Sequence, residues 1–336
     1  MATSEGAVRA ALTAAVGVAR LAPSVHNTQP WRWRLAANGL VLRADRRRQL
    51  PVADPDGLLL TQSCGTALHH ALIALAADGW LTRVRRLPDP ADADLFAEIE
   101  LTGRGGPDPA AAELAQAARQ RRTDRRPLTD RPVGDAVLGL IVAAIAGEHT
   151  NLHLLHPDEI LNLAAAMSHA TEAQAGEESF RIELAGWVGA GRPDATGIPA
   201  AAIPEQPPRT RVPGRFFGPP GTLLVDDGHD RAARYAVLHG DTDTPVAWLH
   251  AGEALSAGWL TATRHGLSVL PISAPVEIPA TRERLRHLLA GLGYPYLAMR
   301  IGNPDTGQPG PPATPRLPIG EILDADRAGD GGADER

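Results

Sequence analysis

The chain has 336 residues, 43% of them apolar, and a formal net charge of −6, so it is long enough for one large core or two ordinary ones. The negative balance argues against nucleic-acid binding as a property of the whole molecule. None of the 33 basic residues is lysine, which excludes Schiff-base and pyridoxal chemistry and leaves arginine as the fixed cation for any phosphate.

Alanine-rich periodicity predicts a first helix over Ala7–Leu21, which Pro23 ends by withholding an N–H and restricting the residue before it. The stretch Ala22-Pro23-Ser24-Val25-His26-Asn27-Thr28-Gln29-Pro30-Trp31 then runs into a strand. Its Ser24, His26, Asn27, Thr28 and Gln29 put donors and acceptors on one short turn, suited to gripping a polar, planar ligand. The same residues also suit an ordinary helix-to-strand connection. Strands are predicted at Trp31–Leu35 and Leu40–Ala44, then a long helix from about Gly57 to Asp78, with Leu60, Cys64, Ala67, Leu68, Ala71 and Leu75 at helical spacing. Cys64, the only cysteine, reads as a buried inert thiol; disulfides and thiolate metal clusters within one chain are excluded. On the same helix, His69 and His70 read as one packed and one exposed side chain. Gly79 is a reasonable helix stop, and strands follow near Leu81–Arg86 and Leu95–Leu101.

A turn-rich joint, Gly103 to Pro107, opens a second half that repeats the pattern. Helix Ala110–Gln120 leads to Arg121-Arg122-Thr123-Asp124-Arg125-Arg126, a plausible phosphate grip or a solvated basic turn. Helix Val137–Ala146 feeds strand Asn151–Leu155 through Gly147-Glu148-His149-Thr150, which stands where the first half has its polar turn. Val188 to Gly221 is dense in Gly and Pro and holds Arg209, Arg211, Arg215, Phe216 and Phe217, so it reads as a lid, a binding loop or disorder, with the phenylalanines favouring docking. Asp226 to Asp230 lacks calcium-loop spacing and reads as a turn. A helix over Ala251–His265, a strand over Leu267–Ile272, a helix over Thr281–Leu289 and a strand near Tyr296–Ile301 complete the second copy. Between them the loop Leu270 to Ala274 leaves a strand end, where backbone N–H groups could face a heterocycle. Arg316, pinned between Pro315 and Pro318, is a fixed cation or part of a plain C-terminal strap. The tail from about Asp324 is acidic and reads as disordered. No apolar run of bilayer length and no signal-peptide pattern are found, which predicts a soluble cytoplasmic protein with no membrane partner.

Taken together, these motifs resemble the FMN-dependent nitroreductase family, and within it the fused-duplication, Acg-like branch. The resemblance rests on Ala22 to Trp31 against an APSxxNxQPW turn and on Arg121 to Arg125 against an RRSxR phosphate motif. It rests also on Ala251 to Ser273, Leu292 to Gly302 and Pro315 to Pro318, in the expected order along nearly the whole chain. It implies an α+β nitroreductase-like fold in which two degenerate copies, residues 1–105 and 106–323, form a pseudo-dimer around mixed sheets and long central helices. A lid would span 188–221 and the tail 324–336. The resemblance further implies one FMN site between the halves. Arg121, Thr123, Arg125 and Arg316 would hold the phosphate with Arg122 adjacent. Ser24, Asn27 and Gln29, on the turn with His26, would reach the ribityl chain or ring, and Pro271, Ile272 and Ser273 would line the ring edge. The implied activity is hydride transfer from NAD(P)H to a nitro-aromatic, a quinone or a similar small molecule. A lid that closed firmly would instead make the protein an FMN store. No metal is expected, and a homodimer of the fused chain stays open.

Overall fold

A computed structural model describes residues 5–189, 192, 195–225, 228–307 and 309–324; the acidic tail beyond Asp324 lies outside them. The first helix, α1 (Glu5–Ala19), buries Leu12, Ala15, Val16 and Ala19 at helical spacing. After the turn come β1 (Trp31–Ala36), β2 (Gly39–Ala44), the 20-residue α2 (Leu58–Ala77), β3 (Trp80–Arg86) and β4 (Leu95–Arg104). Gly79 takes φ +82° between α2 and β3, a left-handed turn that glycine makes without strain. Then follow α3 (Pro109–Gln120), α4 (Asp135–Ala146) and β5 (Asn151–Leu154).

Two helices that the sequence reading did not place, α5 (Pro157–Gly176) and α6 (Glu178–Trp187), come next, with the short parallel pair β6 (Val188–Gly189) and β7 (Ile198–Pro199). The rest of the described 195–225 stretch is largely irregular, as its Gly and Pro content predicts. A further unplaced strand, β8 (Arg234–Gly240), precedes α7 (Pro245–Arg264), β9 (Ser268–Ile272), α8 (Ala274–Glu277), α9 (Pro279–Leu288) and β10 (Tyr294–Gly302). The chain ends in α10 (Ile319–Ile322) and β11 (Leu323–Asp324).

Two antiparallel sheets share one plan. The first has the order β1-β2-β4-β3 and the second β5-β8-β10-β9, so each runs strand, neighbour, long helix, edge strand, inner strand. α1 packs on α2 as α4 packs on α7, while α3 lies against both long helices. The two 20-residue helices α2 and α7 cross at matching glycines. A Cβ on Gly65 would stand 2.2 Å from the Leu249 carbonyl oxygen, and one on Gly252 would stand 2.1 Å from that of Gln62. Only glycine lets the two backbones come this close. β11 then crosses back to extend the first sheet, pairing parallel to β1 with Leu323 opposite Trp33.

Two expectations need correction. α2 is long and apolar enough to cross a bilayer, so an apolar run of that length does exist; most of it is buried against α1, α3 and α7 as a core helix. His69 and His70 are both buried rather than split between core and solvent, because the neighbouring α7 covers that face of α2. Cys64 is buried as expected, and burial raises its thiol far above the ordinary range.

Candidate functional site

The polar turn is held in a strained shape. His26, Asn27 and Gln29 take φ of 45°, 56° and 51°, a left-handed geometry that non-glycine residues adopt only when their surroundings over-determine it. Those surroundings include hydroxyls on α2. Ser63 Oγ accepts from the Val25 N–H at 3.2 Å, and Thr66 Oγ1 donates to the Pro23 carbonyl at 2.6 Å. Ser24 Oγ closes the turn by accepting from the Gln29 N–H at 2.9 Å. Ser63 and Thr66 were missed in the sequence; their signal is a pair of hydroxyls at i, i+3 on α2.

Ser24, His26 and Asn27 line a cavity between the two halves, which also takes Arg121, Thr123, Arg125, Arg316 and the β9 exit. The arginine motif is extended, and residues 121, 123 and 125 face the cavity while the others turn away. Arg122 Nη1 donates to the carbonyls of Arg119 and Arg121 at 2.8 Å each, so it closes the end of α3 and does not line the cavity. Asp124 is spent on Arg126, whose Nη2 lies 2.7 Å from it. Arg300 from β10 buttresses the run, donating to the carbonyls of Asp124 and Arg126 at 3.1 and 2.7 Å. Asp230, the last acid of the run that reads as a turn, is fully buried and accepts from the Leu128 N–H and the Tyr235 hydroxyl. Asp226 and Asp227 lie outside the described residues.

Gln29 does not line the cavity. Its Nε2 donates to the Ala195 carbonyl at 3.0 Å, and its Oε1 accepts from the Leu317 N–H at 2.9 Å. It therefore clamps the turn between the 195–225 segment and the C-terminal strap. Pro271, Ile272 and Ser273 do line the cavity, but Pro271 and Ile272 are strand residues paired with Met299 and Ala298 of β10. Only Ser273 lies past the strand end, so the expected loop of free N–H groups is shorter than its proline suggested.

Charge is the telling property of this cavity. Arg121 is 5% exposed, its guanidinium stacks 4.4 Å from the Trp259 ring centre, and its Nη2 donates to the Leu21 carbonyl. Arg316 donates to the same carbonyl and, through Nη1, to Asn27 Oδ1 at 2.9 Å. Among the described residues neither arginine has a carboxylate partner, and the Nε of each is buried with no acceptor. Burial, and then the neighbouring cations Arg316 and Arg122, push Arg121 down from the ordinary guanidinium range. Burial with Arg122 and Arg20 brings Arg316 to about 10. Two neighbouring cations, one buried and one half-buried, call for an anion between them.

The other end is marked by His26 and Arg125. Arg125 Nη1 donates to the Ala202 carbonyl at 2.9 Å, and the guanidinium lies 5.1 Å from the Phe217 ring centre. The His26 ring meets Phe217 edge-on, and its Nε2 has no partner. Burial first, then Arg215 and Arg125, lower its pKa well below the ordinary value, so the imidazole is neutral near pH 7. Phe217 thus docks as its sequence predicts, while Phe216 stays 61% exposed.

The matching turn in the second half is built differently. His149 keeps a left-handed φ of 56°. Beside it, however, Glu253 takes a bidentate bond from Arg86 at 2.8 Å on each oxygen and has His250 at 3.3 Å. The His149 ring packs edge-on to that of His250, and Glu148 lies 3.9 Å from His69.

No family model matches the chain. Rv3131 of Mycobacterium tuberculosis, which carries the name NAD(P)H nitroreductase, is 38% identical over 325 residues, covering 94% of this chain and 91% of its own. Acg of the same organism carries the same name and is 32% identical over 318 residues, covering 93% and 95%. Among solved structures, a Bacteroides fragilis nitroreductase with bound FMN aligns at TM-score 0.40 and 14% identity over 64% of this chain and 99% of its own. The FMN- and NADPH-dependent nitroreductase NfnB of a Sphingopyxis strain gives 0.39 and 16% over 63% and 97%. With relatives this similar across nine-tenths of its length, the chain belongs to the nitroreductase family, on the Acg-like branch.

Proposed function

We propose that this chain is an NAD(P)H-dependent oxidoreductase that holds one FMN in the arginine-lined cavity and reduces a small planar acceptor such as a nitro-aromatic or a quinone. The observation that carries the reading is the pair of guanidinium groups, Arg121 buried and Arg316 half-buried, with buried unpaired Nε atoms and no carboxylate partner among the described residues. A phosphate monoester matches their charge and fork geometry. Thr123 adds a hydroxyl at the same wall, and Asn27 orients Arg316 through Oδ1. Ser24 and His26 line the same cavity, with Leu270 and Ile272 available as apolar contact for a ring. Arg125 provides a cation near that ring rather than a second phosphate anchor, because it sits with Phe217 and His26. When bound, FMN supplies the hydride chemistry; the chain supplies the pocket, the charge and the exclusion of water. The shared sheet order supports an internal duplication, with residues 1–105 and 106–323 as the two copies; we place the activity in the cytoplasm.

A second reading, FMN storage, is favoured by one group of contacts. The 195–217 segment acts as a lid stitched to the turn. Asn27 Nδ2 donates to the Gly197 carbonyl at 3.0 Å, the Gly197 N–H donates back to Asn27 at 3.2 Å, and Arg215 pairs with buried Glu277. Purified protein is expected to be yellow. Anaerobic addition of NADPH or NADH, followed at the flavin band near roughly 450 nm, separates the readings. Rapid bleaching supports the enzyme; colour that persists until the lid is shortened supports storage. Protein that takes up no FMN overturns both.

A further inference from the structure

On the far side of Phe217 from the arginine cavity lies a separate cleft of about 580 Å³ between α5, α6 and the stretch from Ala200 to Gly221. Phe180 and Leu184 from α6 form one wall, and Ile203, Phe216 and Phe217 form the other. Three of its lining residues are aromatic, and Phe216 is 61% exposed. Arg181 is the only charged residue in the lining. Its Nη1 donates to the Ala175 carbonyl, which leaves the rest of the guanidinium edge for a ligand. The lining holds no carboxylate to compete for it.

We propose that this cleft is a second small-molecule site, for a planar aromatic carboxylate whose rings lie among Phe180, Phe216 and Phe217 and whose anion meets Arg181. Aromatic walls favour a flat π-surface in offset or edge-on contact, and a guanidinium fork matches a carboxylate in both charge and shape. The volume suits a ligand of two or three rings. Phe217 lines both this cleft and the first cavity, and a polar chain runs from one toward the other. In that chain Gln174 Nε2 donates to Glu277 at 2.7 Å, Glu277 pairs with Arg215, and Arg215 donates to Ser273 Oγ at 3.3 Å.

The test uses 2-naphthoate as the probe, titrated by calorimetry into the purified chain as isolated and again after saturation with FMN. One molecule per chain is expected to bind in both states. Arg181→Gln is expected to weaken naphthoate about five- to tenfold while leaving uncharged 2-naphthylmethanol unchanged. Ala185→Trp, at an exposed position of α6 that lines the cleft, is expected to abolish binding of both compounds with flavin uptake unaltered. Absence of saturable binding overturns the proposal, as does naphthoate that competes with FMN or that ignores Ala185→Trp. A chain that binds naphthoate with this mutational pattern but takes up no FMN upholds the cleft and refutes the flavin reading instead.

Discussion

The two helix-to-strand turns occupy matching places in two sheets of the same order, yet their electrostatics are opposite. Around the first, Arg121 is buried and Arg316 half-buried, neither with a carboxylate partner among the described residues, and His26 keeps an unpaired nitrogen. Around the second, Glu253 answers Arg86 and His250 directly, and Glu148 stands beside His69. Both turns retain a left-handed histidine, so backbone shape alone does not make a site. What distinguishes them is whether the protein completes its own charges. A region that leaves cations unanswered in its interior is waiting for a ligand, while one that answers them has become core.

Substitutions can break this contrast from either side. The largest effect is expected for Arg121→Ala combined with Arg316→Ala. FMN affinity, read by quenching of flavin fluorescence, should fall by about a hundredfold or more, since two charge-assisted contacts are lost. The ligand-free variant should melt no lower than wild type, because two repelling cations, one buried and one half-buried, are gone. A large drop in its melting temperature would mean that these arginines hold the fold instead.

Glu253→Gln attacks the completed region. Breaking a buried ion pair from one side should cost about 3–5 kcal/mol in urea unfolding, with flavin uptake kept, and Arg86→Met with Glu253→Leu should recover most of the loss. The neighbouring histidine gives a pH signature. Burial lowers His69 to about 4, so the folded chain refuses a proton that the unfolded chain accepts below its ordinary value of 6.5. Its stabilising share is full above that value and is lost as pH falls toward 4. His69→Gln should flatten that part of the stability profile by about 3 kcal/mol, leaving the slope from the other buried histidines, His26 and His70. Smallest is Asn27→Ala, which removes the Oδ1 partner of Arg316 and one tie to Gly197. FMN affinity should fall about tenfold, with faster flavin release in a dilution assay.

Much of this architecture is legible in the sequence because it is local. Pro23 ends a helix, the spacing of Leu60, Cys64 and Leu68 marks α2, and Gly79 stops it. The order of motifs also places Arg121 and Arg316 near the turn. Facing directions are less accessible. Arg122 and Gln29 look like site residues by type, but helix-end carbonyls claim one and the strap claims the other. The elements left unplaced, α5, α6 and β8, have ordinary patterns with no motif to draw notice. β8 in particular is a continuous buried run, Tyr235 to Leu238, without the alternation that announces a strand. Trp259 carries no signal of its own in the sequence, and only the fold puts it under a cation.

The return of β11 to the first sheet carries a consequence for biogenesis. Arg316 rides on the segment that β11 anchors beside Trp33, so its position is fixed only when the last described residues have paired with β1. Domains generally fold as they leave the ribosome, N-terminal parts first. The first sheet and the polar turn can therefore be in place while the anion pocket still lacks one of its two cations. On the flavin reading, firm cofactor capture should wait for this pairing, and a chain interrupted before Arg316 should have half the grip.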